Sequence, residues 1–458
     1  MQESARQPKK IVQLIVFLLY SSMALAQTND AVEQYASNQA AIVGVRMEIQ
    51  AEVNVQKINI NYKPFNRLID SIQRLAKDSI FLTPAEKLDI VLSEFQLHPQ
   101  YYFLNEFSYF RHREKVVARG SGFIISGDGY VLTNCHVIDE GDAFVSRRFI
   151  LSAFNYVTET NIASIEQAWV VKFTEQQRNQ LYKTFADVYS RIVPIELEKI
   201  GKTIYVSISS DDGNGKKISR DLPAIIVKKG RPMPGKDVAL LKVNFNTQLP
   251  SIPLASKDDA LVGEDIFVYG FPNSVAKNEF LSEETILEAT LTRGIISARK
   301  KSVKGWPVMQ MDADINRGNS GGPVCNQNGE VVGISTFGTL DDNARALAPG
   351  LNFAIPLEVV REFISDSIKI GRSEISRLYG EGVKFYQKGY YSKALRNFEL
   401  VRAKNPLYPD LQHYIGKATQ QMNEGQDKEP SDILMYLALA AVFFLAAALF
   451  WFRLKKEY

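Results

Sequence analysis

The chain has 458 residues, of which 45% are apolar and 23% are charged, and this balance is that of an ordinary globular protein. It excludes a chain that is disordered throughout, and the length allows two or three domains. The formal net charge is only +3 and the sequence holds no long basic tract, so nothing indicates a nucleic acid as a partner.

The first 26 residues have the three regions of a secretory signal peptide. Basic residues come first, the apolar run 11–20 follows, and Ala24 and Ala26 have the spacing of a cleavage site. We predict a signal peptide over residues 1–26 and a mature chain that begins near Gln27. An uncleaved signal anchor is the alternative, and under either interpretation the next domain is exported.

A strand and then a helical segment are predicted after the signal peptide. From residue 43 to residue 55 apolar side chains alternate strictly with others, which is the period of a strand with one buried face. In the segment 62–98, Thr83-Pro84 is a helix start signal ahead of a periodic apolar pattern. We interpret residues 62–98 as a helical insertion.

Short strands separated by turn residues dominate the next part of the chain. The segment 116–137 contains Gly127-Asp128-Gly129, which a tight hairpin turn tolerates. Residues 140–200 interrupt the pattern as a second helical insertion, with helical spacing clearest over 165–192. Further strand-like segments lie at 204–207, 224–227, 238–243, 266–269, 295–298, 308–311 and 331–335. This pattern favours an all-β barrel or sandwich.

A helical module is predicted over residues 374–425, after the β pattern ends near Ile364. Gly416 lies one 34-residue period after Gly382, which is the length of a tetratricopeptide repeat, and bulky and small residues fall at matching positions. We interpret the module as one such repeat plus a helix, with a protein partner as its ligand and no part in hydrolysis. An unrelated helical hairpin is the alternative.

The segment 433–452 is twenty residues without a charge, enough to cross the hydrocarbon core of a bilayer as a helix. The residues before it are mostly acidic, whereas Arg453, Lys455 and Lys456 follow it. The positive-inside rule therefore predicts a cytoplasmic tail at 453–458. We expect a single C-terminal pass through the inner membrane, with the β domain on the exported side, and a buried core helix is the alternative.

Candidate catalytic residues are few, because the sequence has only four histidines. They are His98, His112, His136 and His413. No HExxH motif and no paired CxxC motif is present, so zinc hydrolysis has no support and we predict neither a metal nor a cofactor.

The string GNSGG at 318–322 crowds three glycines around Ser320. A serine nucleophile needs an exposed hydroxyl and backbone N–H groups aimed at the developing oxyanion, and glycine allows the substrate to approach the backbone closely. By itself the string also fits a glycine-rich turn or a phosphate-binding loop. Two companions, His136 at the end of a predicted strand and Asp237 at the start of another, favour a catalytic Ser-His-Asp set.

These strings resemble the HtrA/Deg serine proteases of the trypsin-like fold. Three further strings support the resemblance, namely YGFP at 269–272, TRGIISA at 292–298 and NFAIP at 352–356. The resemblance covers roughly residues 36–365 without the insertions, and we place the protease domain at 27–365. It implies two six-stranded antiparallel barrels with the active site in the cleft between them.

The resemblance also implies the role of each catalytic residue. Ser320 is the nucleophile, His136 is the general base and acid, Asp237 orients the histidine, and the N–H groups of Gly318 and Ser320 form the oxyanion hole. We therefore predict an ATP-independent, membrane-anchored serine endopeptidase that cleaves unfolded or membrane-proximal exported proteins. A chaperone or binding module with a protease fold, or a membrane scaffold acting through the helical module, is the alternative.

Two features differ from related proteases. Asn319 stands where digestive enzymes of this fold have an aspartate, so activation by an ion pair with a newly cut N-terminus is not expected. No PDZ domain follows the protease domain, which puts the family's cage assembly in doubt and leaves open whether the chain forms a homo-oligomer.

Asp314 lies six residues before Ser320, the spacing of the acid that selects Lys or Arg in digestive enzymes of this fold. A carboxylate at the base of a desolvated pocket would favour a cationic side chain. The HtrA-like preference for small aliphatic residues is the stronger expectation, with Asp314 turned outward or paired with Arg317. Cys135 and Cys325 are interpreted as two buried thiols in preference to a disulfide.

Overall fold

The computed structural model describes residues 30–428 and residue 440, except for short gaps within the first range. The gaps are 79–81, 140, 194, 213, 215, 258–259, 273–279, 281–287 and 341–346. The predicted signal peptide at 1–26 and, apart from Ala440, the predicted span at 433–452 lie outside the described residues. Within the described part, no helix is both long and apolar enough to cross a membrane.

The chain divides into two compact units. In the described residues, the barrel unit combines 30–46, 119–138 and the chain from residue 205 onward. The inserted unit combines 47–118 and 139–204, which contain both of the predicted helical insertions.

Twelve described strands form two closed barrels of six strands each, as the resemblance implies. In chain order the strands are β1 Ile42–Ile60, β2 Phe103–Ser126, β3 Tyr130–Thr133, β4 Ile195–Asp211, β5 Lys217–Lys229, β6 Ala239–Val243, β7 Asp265–Gly270, β8 Thr290–Lys301, β9 Pro307–Met311, β10 Pro323–Cys325, β11 Val331–Leu340 and β12 Leu347–Pro356. The first barrel has the order β1-β2-β3-β6-β5-β4, and the second has the order β10-β11-β12-β9-β8-β7.

The pairing of β3 with β2 and β6 places the segments that carry His136 and Asp237 side by side. A tight turn joins β2 to β3, and Gly129 in that turn has a φ of +95°, a conformation that favours glycine. On the other side of β3, Thr133 pairs with Ala239 in antiparallel register. The residues just after β3 therefore lie next to the residues just before β6.

The second barrel presents the loop that carries Ser320. Its core is apolar, with Val268, Met309, Val324, Ile334 and Ile355 all almost completely buried. Strand β10 begins at Pro323, directly after the GNSGG string, and pairs with β7 and β11. Periodicity did not reveal β10 or β12, because β10 is only three residues long and β12 contains a glycine at a positive φ.

Helices of the inserted unit occupy the two segments that the sequence predicts as helical, and one short helix at Pro99–Tyr102 directly follows the first segment. They are α2 Tyr62–Asp78, α3 Pro84–Leu97, α4 Pro99–Tyr102, α6 Asp142–Trp169 and α7 Glu175–Arg191. Helix α3 begins at a capping box in which Thr83 accepts from the Glu86 backbone and Glu86 accepts from the Thr83 backbone. The second insertion becomes helical at Asp142, well before the clear periodicity that begins at residue 165.

The remaining described helices belong to the barrel unit. They are α1 Asp30–Asn38, α5 Cys135–Ile138, α8 Leu357–Arg361, α9 Glu374–Gln387, α10 Tyr391–Lys404 and α11 Leu411–Asn423. The helical module consists of α9, α10 and α11. A Cβ on Gly382 in α9 would lie 2.5 Å from the ring of Phe398 in α10, so this close helix pair requires glycine there. The classification as a tetratricopeptide repeat stays a prediction.

The helical module is built into the barrel unit. Ala36 and Ala40, at the N-terminal end of that unit, share its hydrophobic core. The Ser251 backbone donates to Ser376 Oγ over 3.0 Å, and Ser210 Oγ donates to the Leu407 carbonyl over 3.0 Å. These buried contacts pack the helical module against the other residues of the barrel unit.

Candidate active site

His136 lies on a single helical turn, α5, that begins two residues after β3 ends. The sequence placed it at the end of the strand itself, and this detail was wrong. The backbone N–H of His136 donates to Asp237 Oδ1 over 2.8 Å. Asp237 stands two residues before β6, so the pairing of β3 with β6 brings the two residues together.

The Asp237 carboxylate is completely buried and holds the His136 ring through a second contact. His136 Nδ1 and Asp237 Oδ2 are 2.6 Å apart. Because an ionised carboxylate can only accept, this contact assigns the proton to Nδ1 and leaves Nε2 as the basic nitrogen. Thr336 Oγ1 donates to the same Oδ2 over 3.0 Å, and Asn134 Nδ2 donates to the Asp237 carbonyl over 2.8 Å.

The loop that carries Ser320 is held against β2 by Ser121. Ser121 Oγ donates to the Gly318 carbonyl over 2.7 Å, and the Ser121 backbone N–H donates to the Ser320 carbonyl over 2.8 Å. A Cβ on Gly321 would lie 2.1 Å from the Ser121 carbonyl oxygen, and Gly321 also has a φ of +90°. This glycine is therefore required by both space and backbone conformation.

Two backbone N–H groups of this loop can bind an oxyanion. Among the described residues, neither the Gly318 N–H nor the Ser320 N–H donates to a protein acceptor. Their neighbours are occupied, because Asn319 N donates to the Asn316 carbonyl over 3.0 Å and Gly321 N donates to the Ser335 carbonyl over 2.9 Å. Gly318 has a φ of +105°, which a residue with a side chain rarely adopts.

The Ser320 hydroxyl donates to the Thr336 carbonyl over 2.7 Å. Rotation about the Ser320 side chain must break this bond before the hydroxyl can donate to His136 Nε2. Thr336 thus contacts two members of the triad, through its carbonyl and through its hydroxyl. Sequence reasoning missed Thr336, and no motif in β11 marks it as part of the site.

The triad opens onto a mostly apolar cavity of about 590 Å³. Its lining residues are His136, Pro232, Met233, Pro234, Asp237, Ile315, Asn316, Arg317, Ser320, Thr336 and Gly338. Met233 and Ile315 belong to the apolar wall of the cavity. Trp306 Nε1 donates to the carbonyl of Pro234, another lining residue, over 3.2 Å. Asp237 is the only acidic residue among the described lining residues.

Asp314 is not brought to this cavity. Its side chain is exposed, and its carbonyl accepts a hydrogen bond from Thr292 Oγ1 over 2.9 Å. Buried and exposed side chains alternate in this segment, so that Ala313 and Ile315 are buried while Asp314 faces outward. This placement does not support Asp314 as the base of a pocket for Lys or Arg.

Cys135 and Cys325 are both buried, and no disulfide bond joins them. Cys135 Sγ donates to the Gly230 carbonyl over 3.4 Å, and burial raises the pKa of the Cys325 thiol. The prediction of two buried thiols is confirmed. Neither sulfur lines the cavity, so Ser320 is the only nucleophile of its described lining.

Two barrels that bring a serine, a histidine and a buried aspartate to one cavity define a trypsin-like serine peptidase. A family model described as a trypsin-like peptidase domain matches residues 120–334, which include all three residues. The domain is therefore a serine endopeptidase domain.

Similar curated proteins are serine proteases of the HtrA/Deg type. The chain is 28% identical over 259 residues to a probable periplasmic serine endoprotease DegP-like of Rhizobium meliloti, covering 56% of this chain and 34% of that protein. It is 34% identical over 161 residues to serine endoprotease DegS of Haemophilus influenzae, covering 32% of this chain and 43% of that protein. It is 24% identical over 317 residues to mitochondrial serine protease HTRA2 of Bos taurus, covering 67% of this chain and 48% of that protein. The chain thus spans less than half the length of each of these relatives.

Proposed function

We propose that this protein is a membrane-anchored serine endopeptidase that cleaves exported proteins through an acyl-enzyme. The observation that carries the proposal is the 2.6 Å contact between His136 Nδ1 and the buried Asp237 carboxylate, beside Ser320 in one cavity. This contact leaves His136 Nε2 available as a general base for the serine hydroxyl.

The reaction begins when the Ser320 hydroxyl leaves the Thr336 carbonyl and transfers its proton to His136 Nε2. Ser320 Oγ bonds to the scissile carbonyl carbon, and the resulting oxyanion accepts from the N–H groups of Gly318 and Ser320. Imidazolium then gives its proton to the leaving amine as the C–N bond breaks. Water attacks the acyl-enzyme by the same sequence of proton transfers and releases Ser320. Each oxyanion donor contributes about 3 kcal/mol of transition-state stabilisation.

A small aliphatic residue is the proposed preference on the acyl side of the cleaved bond. The support is the apolar cavity beside Ser320, to which Ile315 contributes and Asp314 does not. A peptide library tests this preference. Cleavage after Val, Ala or Ile that is unaffected by Asp314→Ala is expected, and dominant cleavage after Lys or Arg that is lost in Asp314→Ala would contradict it.

Membrane anchoring and an exported location rest on the sequence. The twenty uncharged residues at 433–452 and the basic tail at 453–458 support a single pass with the peptidase domain outside the cytoplasm. The backbone N–H of Lys428 donates to the Gly389 carbonyl over 2.9 Å. Ile433, the first residue of the predicted span, comes only five positions after Lys428. An extended linker of this length spans about 18 Å, so the domain would stay close to the bilayer.

Reporter fusions test this topology. A reporter placed after Tyr458 should behave as cytoplasmic and one placed near Asp427 as exported, and the reverse pattern would show the orientation to be wrong. Unfolded or membrane-proximal proteins are the proposed substrates. The support is the short linker and the similarity to the Rhizobium meliloti protein, whose name describes a periplasmic endoprotease.

Fluorophosphonate labelling of the full chain in detergent tests the proposed chemistry. The reagent should modify the wild-type protein at Ser320 and should leave Ser320→Ala unmodified. A purely binding or scaffolding protein would give no labelling in either form and no cleavage of casein, and that pair of results would remove the endopeptidase proposal.

A further inference from the structure

We infer that Arg317 selects substrates that carry an acidic side chain close to the cleaved bond, an inference that rests on the proposed endopeptidase function. Arg317 directly precedes Gly318, whose N–H is one of the two oxyanion donors. It lines the same cavity as Ser320, and its side chain is exposed. A bound peptide chain must therefore pass close to its guanidinium.

The charges of the cavity make Arg317 the main source of electrostatic preference. Among the described lining residues, three can carry a charge, namely His136, Asp237 and Arg317. The Asp237 carboxylate is buried and accepts hydrogen bonds from the His136 ring and from Thr336 Oγ1. It is therefore not available to pair with a substrate side chain. Arg317 forms no ion pair with any residue in the described part of the chain. The described part of the exposed cavity wall therefore carries one permanent positive charge.

Guanidinium chemistry suits a carboxylate better than any other side chain of a peptide. Arginine stays protonated at every relevant pH and can donate two parallel hydrogen bonds to one carboxylate. An exposed pair of this kind is screened by water, which limits the expected preference to roughly two- to fivefold in kcat/KM. A lysine on the substrate would meet a like charge. The difference in kcat/KM between Glu and Lys peptides should therefore exceed the difference between Glu and Gln peptides.

The alternative interpretation is a solvated charge that substrate never contacts. Arg317 gives no support to the fold that would explain its presence, because no described hydrogen bond involves its guanidinium. The two interpretations differ in whether removal of the charge changes substrate preference.

The experiment uses sets of quenched fluorescent peptides with one common aliphatic cleavage site. Within each set, a single position is varied and carries Glu, Gln or Lys. This position is one of the two residues before, or the two residues after, the pair of residues joined by the cleaved bond. The full chain in detergent is compared with Arg317→Gln and Arg317→Glu. Lys304→Gln is the matched control, because Lys304 is an exposed cation of the same unit and does not line the cavity. Thermal unfolding of each variant controls for misfolding.

We expect the wild type and Lys304→Gln to cleave the Glu peptide faster than the Lys peptide at one position at least. Arg317→Gln should bring the Glu to Lys ratio of kcat/KM close to one, and Arg317→Glu should invert it. Added salt should shrink the wild-type ratio. An equal rate on Glu and Lys peptides at every position, or a ratio that Arg317→Gln leaves unchanged, overturns the inference while the endopeptidase proposal stands. Absence of both hydrolysis and fluorophosphonate labelling in the wild type overturns both.

Discussion

At the scale of single residues, Asp237 shows how strongly the fold constrains the chemistry. Its buried carboxylate accepts from the His136 backbone, from the His136 ring and from Thr336 Oγ1. A buried carboxylate without such donors would be costly, so these three contacts keep the charge in place where it orients the imidazole. The two contacts from side chains, those of the His136 ring and of Thr336, can each be removed by substitution of the donor.

Asp237→Asn should lower kcat by about 10⁴-fold with little change in the fold, because an amide can donate to the ring and stabilise the wrong tautomer. The measurement is the steady-state hydrolysis of an aliphatic chromogenic peptide, with Ser320→Ala as the inactive reference. A kcat within tenfold of the wild type would show that Asp237 does not control the tautomer of His136.

Thr336→Val should lower kcat by roughly ten- to a hundredfold, the loss expected for one hydrogen bond to a charged group. The valine side chain has nearly the same shape but lacks the hydroxyl that donates to Asp237 Oδ2. Thr336→Ser restores the hydroxyl and should recover most of the rate, which separates positioning of Asp237 from a packing effect. Equal activity of the Val and Ser variants would mean that the Thr336 hydroxyl has no catalytic role.

At the scale of elements, the inserted unit joins two long helices through a charged contact at Glu166. This residue of α6 accepts from the Phe173 backbone over 3.0 Å and from Arg178 in α7 over 3.1 Å. The Phe173 backbone hydrogen bond, with Lys172 and Arg178 nearby, lowers the pKa of the Glu166 carboxyl. The charged form of Glu166 is therefore favoured in the folded state.

Acid should weaken the inserted unit through Glu166. Because the folded pKa is lowered, the contribution to stability is fully present above the unfolded pKa and is lost as the pH falls through the folded pKa. Fluorescence of Trp169, which stacks on Phe65 with ring centroids 5.4 Å apart, can follow urea unfolding of this unit. Glu166→Gln should be less stable at neutral pH and should lose less stability in acid, and identical pH profiles for both proteins would contradict the assignment.

At the scale of the whole molecule, the helical module is a structural part of the barrel unit. Its core includes Tyr379 and Phe398 together with Ala36 and Ala40 from the N-terminal end of the unit. Polar contacts add to this, since Ser373 N donates to Ser251 Oγ over 2.9 Å. Catalysis and the proposed membrane tether are therefore connected through one folded body.

Deletion of residues 374–425 should abolish fluorophosphonate labelling at Ser320, because it exposes the apolar residues that pack on α9 and leaves buried polar groups of the barrels unpaired. The measurement compares yield, thermal unfolding and labelling of the deleted chain with those of the full chain. Normal labelling of a stable deleted chain would restore the sequence-based expectation of a module that is separate from catalysis.

The sequence by itself predicted the three residues of the proposed catalytic set, because the chemistry demands local signals. Glycines must surround an exposed serine, and the strings around His136, Asp237 and Ser320 carry these signals wherever the rest of the chain goes. It also indicated the helical insertions and the helical module, whose amphipathic periods are local properties. Only the tertiary structure decided the role of Thr336, the outward orientation of Asp314 and the fusion of the module with the barrels. These depend on contacts between residues far apart in the chain, such as the 99 positions from Asp237 to Thr336, and no local period encodes such contacts.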